Sequence, residues 1–220
     1  GRFKSIKNIQ KTFAYCYFDS PKTDKMFTQL ISNTDVDYSR YNFFHLNYLI
    51  SKNYKEKIKK IFKSSLNQYP KNLMLNQLKL DVKKKKEFSN KFDCRQPADV
   101  IAEIFYITSN ALAAQNNYEA SNFYLNLAKH LNPNFVSYDT LYAENFLLVK
   151  EYDEAEKIYT KVKKIGSVYS WYSSKKIASI LLKQDKNQDA LNSLKKSFEK
   201  IINPTINEIF DYAEFLKNNE

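Results

Sequence analysis

Along residues 98–220 the apolar positions recur at the spacing of one helical face, and the whole pattern returns every 34 or 35 residues. Its first block is Phe105, Thr108, Ser109, Leu112. It returns as Asp139, Tyr142, Ala143, Phe146, then as Ser174, Ile177, Ala178, Leu181, and finally as Ile209, Tyr212, Ala213, Leu216. Each block sets a large residue and then a small one on one face, so a neighbouring helix can approach closely at the small residue. A second pattern follows each of the first three blocks: Ser121, Leu125, Ala128, then Ala155, Tyr159, Val162, then Ala190, Leu194, Ser197. Polar turns at 115–118, 150–153 and 184–187 separate the two halves. Asn132-Pro133, Gly166-Ser167 and Asn203-Pro204 end the second half of each pair. Helix, short turn, helix, repeated in register, predicts an all-α solenoid of antiparallel helix pairs.

The first 97 residues carry a degenerate form of the same pattern. Tyr41, Phe44, His45 and Tyr48, then Asn53-Tyr54-Lys55-Glu56, Ile61, Ser64 and Tyr69-Pro70 predict one pair over 38–71. Ahead of it, Ile6, Ile9, Phe13 and Tyr17, then Met26, Phe27, Leu30 and Ile31, predict a helix pair broken at Ser20-Pro21. Leu75, Leu78 and Val82 make one further helical face. Residues 84–97 then read as a loop or irregular insertion, with Pro97 opening the next helix. The reading is thus a degenerate helical part over 1–97 and, continuous with it, three pairs plus the first helix of a fourth over 98–220. That last helix lacks a partner to cover its apolar face, so the chain reads as a slice of a longer array whose exposed ends could pair with a second copy.

These residues resemble the tetratricopeptide repeat (TPR) pattern, W-x2-L-G-x2-Y…A-x3-F…A…P. The closest stretch runs from Asn117-Tyr118-Glu119-Ala120 to Ala128-Lys129-His130-Leu131-Asn132-Pro133, and Tyr152-Asp153-Glu154-Ala155 follows it. The pattern departs from the family in having no Trp or Gly at the first-helix positions and in placing Pro204 two residues late. The resemblance implies a right-handed TPR-like superhelix whose first helices line a concave groove for an extended peptide or a partner helix. Carried over by pattern, the groove residues are Glu103, Tyr106, Asn110, Thr140, Glu144, Leu147, Leu148, Tyr172, Lys175, Leu182 and Phe210. The Lys/Asn/Arg set with which some TPR domains clamp a C-terminal carboxylate is missing except for Asn110. Trp171 and Tyr172 are candidate anchors for a partner, or else packing residues between repeats. Ala102-Glu103-Ile104-Phe105, running on to Leu131-Asn132-Pro133-Asn134, also looks like large bacterial TPR proteins that carry export signals. A cytoplasmic or a periplasmic location is compatible with that resemblance.

Composition narrows the alternatives. Two Gly and five Pro in 220 residues are too few for the turns of a β-sandwich or barrel, or for a phosphate-cradling loop. The net charge is +11, yet only three of the 35 basic residues are arginine: Arg2, Arg40 and Arg95. Such scarcity argues against sequence-specific readout of nucleic acid, which leans on the guanidinium fork. The Lys, Asn, Ile, Tyr and Phe excess reads as AT-rich codon usage. The positive charge is uneven, +13 over residues 1–95 and −2 over 96–220. Its loudest runs, Lys55, Lys59, Lys60, Lys63 and Lys83, Lys84, Lys85, Lys86, are either solvated helix surface or a basic patch for nucleic acid or another anionic surface.

Catalytic signals are weak. His45 sits where the repeat wants a small packed residue, and His130 lies near a helix C-terminus, where the dipole favours a cation. Nothing has HExxH spacing or a nucleophile elbow, so neither a metal nor another cofactor is expected and the chain reads as non-enzymatic. Cys16 and Cys94 form no CxxC motif. They read as half-buried thiols or, in an oxidising compartment, as a disulfide. No apolar run is long enough to cross a membrane. The reading that results is a protein-interaction scaffold, with a sequence-independent polyanion binder as the alternative.

Overall fold

The computed structural model describes residues 2–32, 37–88 and 90–219, and for residues 2–5 the backbone only. Gly1, residues 33–36, Ser89 within the 84–97 insertion, and Glu220 lie outside the described residues. Among the described residues there are twelve α-helices and no strand. In chain order these are α1 (Arg2–Tyr17), α2 (Thr23–Ile31), α3 (Ser39–Ser51), α4 (Lys55–Gln68), α5 (Leu73–Lys84) and α6 (Pro97–Ala113). Then come α7 (Tyr118–Leu131), α8 (Ser137–Leu148), α9 (Tyr152–Val162), α10 (Ser167–Lys183), α11 (Asn187–Phe198) and α12 (Ile206–Asn219). The fold is all-α. Pro97 opens α6 at its first turn, where the missing N–H costs nothing.

The small-residue positions picked out by the period are buried in the first three pairs. Ser109, Ala143 and Ala178 on the first helices, and Ser121, Ala155 and Ala190 on the second, have no exposed surface. Ser109 and Ser121 meet, hydroxyl to hydroxyl at 2.8 Å, where α6 crosses α7. Ala213 departs from the pattern, because no residue of α12 is buried.

The turns show how a glycine-poor chain reverses direction. Asn53, Asn116, Lys150 and Asp185 all have φ between 56° and 64°, each two residues ahead of the second helix of its pair. Three of these turns close with the same pair of bonds. Tyr54 N–H donates to Leu49 O, Glu151 to Phe146 O and Lys186 to Leu181 O, while the left-handed residue's own N–H reaches back to the carbonyl three residues earlier. This is the Schellman helix ending, usually built on glycine. Asn and Asp tolerate the left-handed region through their short polar side chains; Lys150 does not share that excuse.

Two compact units emerge: residues 1–115 with 119–135, and residues 136–220 with 116–118. The boundary between them falls near residue 135. The reason is that residues 91–135 are pinned within the first unit by long-range contacts. In that unit α1 packs on α2, α2 on α3, and α3 on α4 and α5. The insertion then forms a non-helical strap over residues 90–93 that turns at Cys94–Arg95. Asn90, Phe92 and Cys94 are buried, Lys91 is exposed, and Asp93 and Arg95 are half-buried. Phe92 stacks on Phe44 at 3.9 Å and also contacts Phe13 and Phe135. Asn132 donates from Nδ2 to the Lys91 carbonyl at 2.9 Å, and the Asp93 N–H donates to Asp99 at 2.7 Å. Cys94 is joined to Cys16 of α1 by a disulfide across 78 residues, with 5.7 Å between Cα atoms. On the chain-entropy account a loop of that length is worth about 4–5 kcal/mol.

In the second unit α8, α9, α10, α11 and α12 pack in sequence order. Trp171, Ala178, Ala190 and Leu194 form a core there, flanked by Leu181, Leu182, Phe198, Ile201, Tyr212 and Phe215.

His45 takes the place that Ser109, Ala143 and Ala178 hold in later pairs, and it is completely buried. Its ring stacks on Phe27 at 5.1 Å and its Nε2 lies 2.7 Å from Asp24 Oδ1, while Nδ1 has no partner. Burial lowers the imidazole's pKa, against the opposing pull of Asp24. Burial would raise Asp24, but hydrogen bonds with Lys57 and His45 outweigh it and leave that carboxyl below its ordinary value.

Two predictions follow from these local features. Lys150→Gly relieves the left-handed strain and stabilises the protein by about 1 kcal/mol; urea denaturation showing a loss instead would refute the turn assignment. For His45 the unfolded chain binds a proton below about pH 6.5, whereas the folded site resists it. Stability is therefore whole above that pH and declines as pH falls toward the lowered folded value. His45→Gln flattens that slope in a series of melts between about pH 6.5 and 5; an unchanged slope would assign it to another group.

Candidate functional site

The expected groove residues fall into both units. In the first, Glu103 of α6 is absorbed into a buried ion pair with no open surface, and half-buried Tyr106 lies against the cation of that pair. Arg40, at the start of α3, donates from Nε to Glu103 Oε1 at 2.7 Å and from Nη2 to Oε2 at 2.6 Å. Its guanidinium carbon lies 3.8 Å from the Tyr106 ring centroid, 4.8 Å from Phe135 and 5.3 Å from Phe44. A planar cation among aromatic faces, forked onto a carboxylate, is a task for arginine that lysine cannot perform. Burial raises the Glu103 carboxyl above its ordinary value, and the Arg40 fork opposes that rise. The groove role read for Glu103 is therefore corrected to a structural one: it joins α6 to α3 over 63 residues. Asn110, three residues past Ile107 on the same helix, is exposed.

In the second unit the first helices carry a connected polar ladder. Glu144 of α8 accepts at Oε1 from the Tyr172 hydroxyl at 2.9 Å and from Lys176 at 3.2 Å, both on α10. Lys175 and the Trp171 indole N–H, also on α10, both donate to Asp211 Oδ2 on α12. Burial raises the Tyr172 pKa, which keeps its hydroxyl protonated and donating. Trp171 is buried beneath this ladder, so of the two readings offered for it, packing between repeats fits the structure. Leu182 flanks the Trp171 core and is half-buried. Thr140 and Leu147 are half-buried as well, whereas Leu148 is 61% and Phe210 63% exposed.

The period places Leu148 one turn beyond Glu144, and Phe210 beside Asp211. Large apolar side chains therefore stand open on helices that carry the paired charges. The sequence reading missed Arg40, Lys176 and Asp211. Lys176 and Asp211 stand one residue beyond Lys175 and Phe210, so the register could have found them. Arg40 had only its rarity to mark it.

The basic residues form no pocket. Lys55, Lys59, Lys60 and Lys63 are all exposed on the outer side of α4, with Lys59 paired to Glu56 at 3.0 Å. Lys83 and Lys84 close α5 in its last turn, Lys85 takes the left-handed cap at φ 51°, and Lys86 follows it, all four exposed. A cleft of about 270 Å³ lies where α3 meets the strap, lined by Asn47, Ser51, Lys91 and Arg95 among others. Arg95 is occupied there by Asp93 at 2.9 Å. Among the described residues no three His, Cys, Asp or Glu side chains gather as a metal site, and no helix is long and apolar enough to cross a membrane.

No protein-family model matches the chain, and no curated protein matches it either.

Removing Arg40 strands a buried carboxylate. Arg40→Ala costs about 3–5 kcal/mol, and adding Glu103→Leu recovers most of it. A double-mutant cycle by chemical denaturation measures this; additive losses would mean that the pair is not coupled.

Proposed function

We propose that the protein is a non-enzymatic interaction scaffold of the TPR-like kind, a right-handed solenoid whose helix pairs hold a peptide or a partner helix. The support is the repeat itself: buried small residues at fixed intervals and four left-handed turns in equivalent places. The partner-binding face is assigned to α8, α10 and α12. The observation that carries it is the exposure of Leu148 and Phe210 on the same helices as the Glu144–Tyr172–Lys176 and Lys175–Asp211 pairs. Those pairs hold neighbouring first helices together, so the face is presented with little ordering left to do on binding. Its chemistry suits a partner segment with apolar anchors flanked by charges of both signs.

A second reading rests on α4 and the end of α5. Among the described residues Lys55, Lys60, Lys63 and Lys83 to Lys86 have no carboxylate within ion-pair reach. That free charge suits a polyanion bound without sequence preference and released steeply by salt.

A nuclease-treated pull-down from source lysate, washed at low and high salt and read by mass spectrometry, separates the two. Groove binding survives high salt. It also loses at least about tenfold in affinity on Leu148→Asp or Phe210→Asp, with the melting temperature unchanged because both sites are exposed. Complete loss on raising salt, together with failure on neutralising Lys83–Lys86, would transfer the function to the basic patch.

A further inference from the structure

We propose that the Cys16–Cys94 bond is a redox lock on the first unit. Closing it seats residues 90–95 in the aromatic core and reserves the finished fold for an oxidising compartment. The strap has no helix of its own to hold it. Its anchors include the Phe92 ring among Phe13, Phe44 and Phe135, hydrogen bonds at Lys91 and Asp93, and the bridge itself.

The same rings carry the cation of α3, since Phe44 and Phe135 both face the Arg40 guanidinium. Seating Phe92 therefore completes the packing around the Arg40–Glu103 pair. Cys16 and Cys94 are both buried, at 0% and 3% exposure. Once formed, the bond is out of reach of an attacking thiolate, so it works as a permanent fastening and does not cycle. None of these residues lies on α8, α10 or α12, and the inference stands whether or not the groove reading holds.

The chemistry balances as thiol–disulfide exchange. One cysteine thiolate attacks a disulfide of the oxidant, either a small-molecule disulfide or an oxidoreductase active-site pair, and displaces one of its sulfurs as a thiolate. The second cysteine, as thiolate, then attacks the mixed disulfide. It forms the Cys16–Cys94 bond and releases the other oxidant sulfur. Two electrons pass to the oxidant, which leaves as two thiols with the two protons.

The test uses the full chain, produced once in an oxidising and once in a reducing compartment and kept unreduced. Peptide mapping of the first product should find the Cys16 and Cys94 peptides linked, and thiol labelling under denaturing conditions should find no free cysteine. The product from the reducing compartment should label at both. Hydrogen exchange should then show amides 90–95 opening faster in the reduced chain, on the order of tenfold or more, while α8–α11 keep their protection. Cys16→Ser should reproduce that pattern. If the variant fails to fold, the peptide map and the thiol labelling still decide. Free thiols in the oxidised product, or strap exchange that is indifferent to reduction, would overturn the proposal.

Discussion

Two helices can run side by side at close range only where neither carries a bulky side chain at the crossing. Here that constraint is met by Ser109 with Ser121, Ala143 with Ala155, and Ala178 with Ala190, each pair separated by the same twelve residues and each fully buried. The separation leaves room for the rest of the first helix, a turn, and the opening of the second. Within that interval sits one left-handed residue, which lets the chain double back. Small residue, left-handed residue, small residue is the unit from which the repeated part is made. The first unit breaks the rule at His45, and the substitution works because the imidazole finds a stacking partner in Phe27 and a carboxylate in Asp24.

The repeated part was legible because it rests on local periodicity. Positions three, four and seven apart show in any helix with one buried face, and their return every 34 or 35 residues marks the pair boundaries. The extent of the first unit was not legible. It depends on contacts such as Arg40 with Glu103 and Asn132 with Lys91, which span 63 and 41 residues and leave no periodic trace. The strap left only a short one: Phe92 and Cys94 alternate with Lys91, Asp93 and Arg95. Within a helical frame that short alternation reads as irregular. Of the candidate groove, the exposed apolar residues followed from the register. The pairing of its charges did not, because the register assigns a residue to a face without saying which neighbour it meets there.

The scarcity of arginine changes meaning once the fold is known. A chain with 35 basic residues and three arginines uses lysine wherever a solvated charge suffices. Two of the arginines, Arg40 and Arg95, form planar, paired contacts with carboxylates. The acidic partners differ in the same way. Glu103 is sealed and structural, while Glu144 and Asp211 gather two donors each at a half-open face. Burial, more than charge, separates what holds the protein together from what is left to meet another molecule.

The strap also bears on the order of assembly during synthesis. In the second unit each helix packs on its immediate neighbours in the chain, so its structure can grow as the chain lengthens. The first unit is different: Phe13, Phe44 and Phe92 pack together with Phe135. The first unit is made before the second, yet it cannot be completed until Phe135 has been made. Until then its phenylalanines are exposed, and the nascent chain carries an open hydrophobic surface for chaperones to shield.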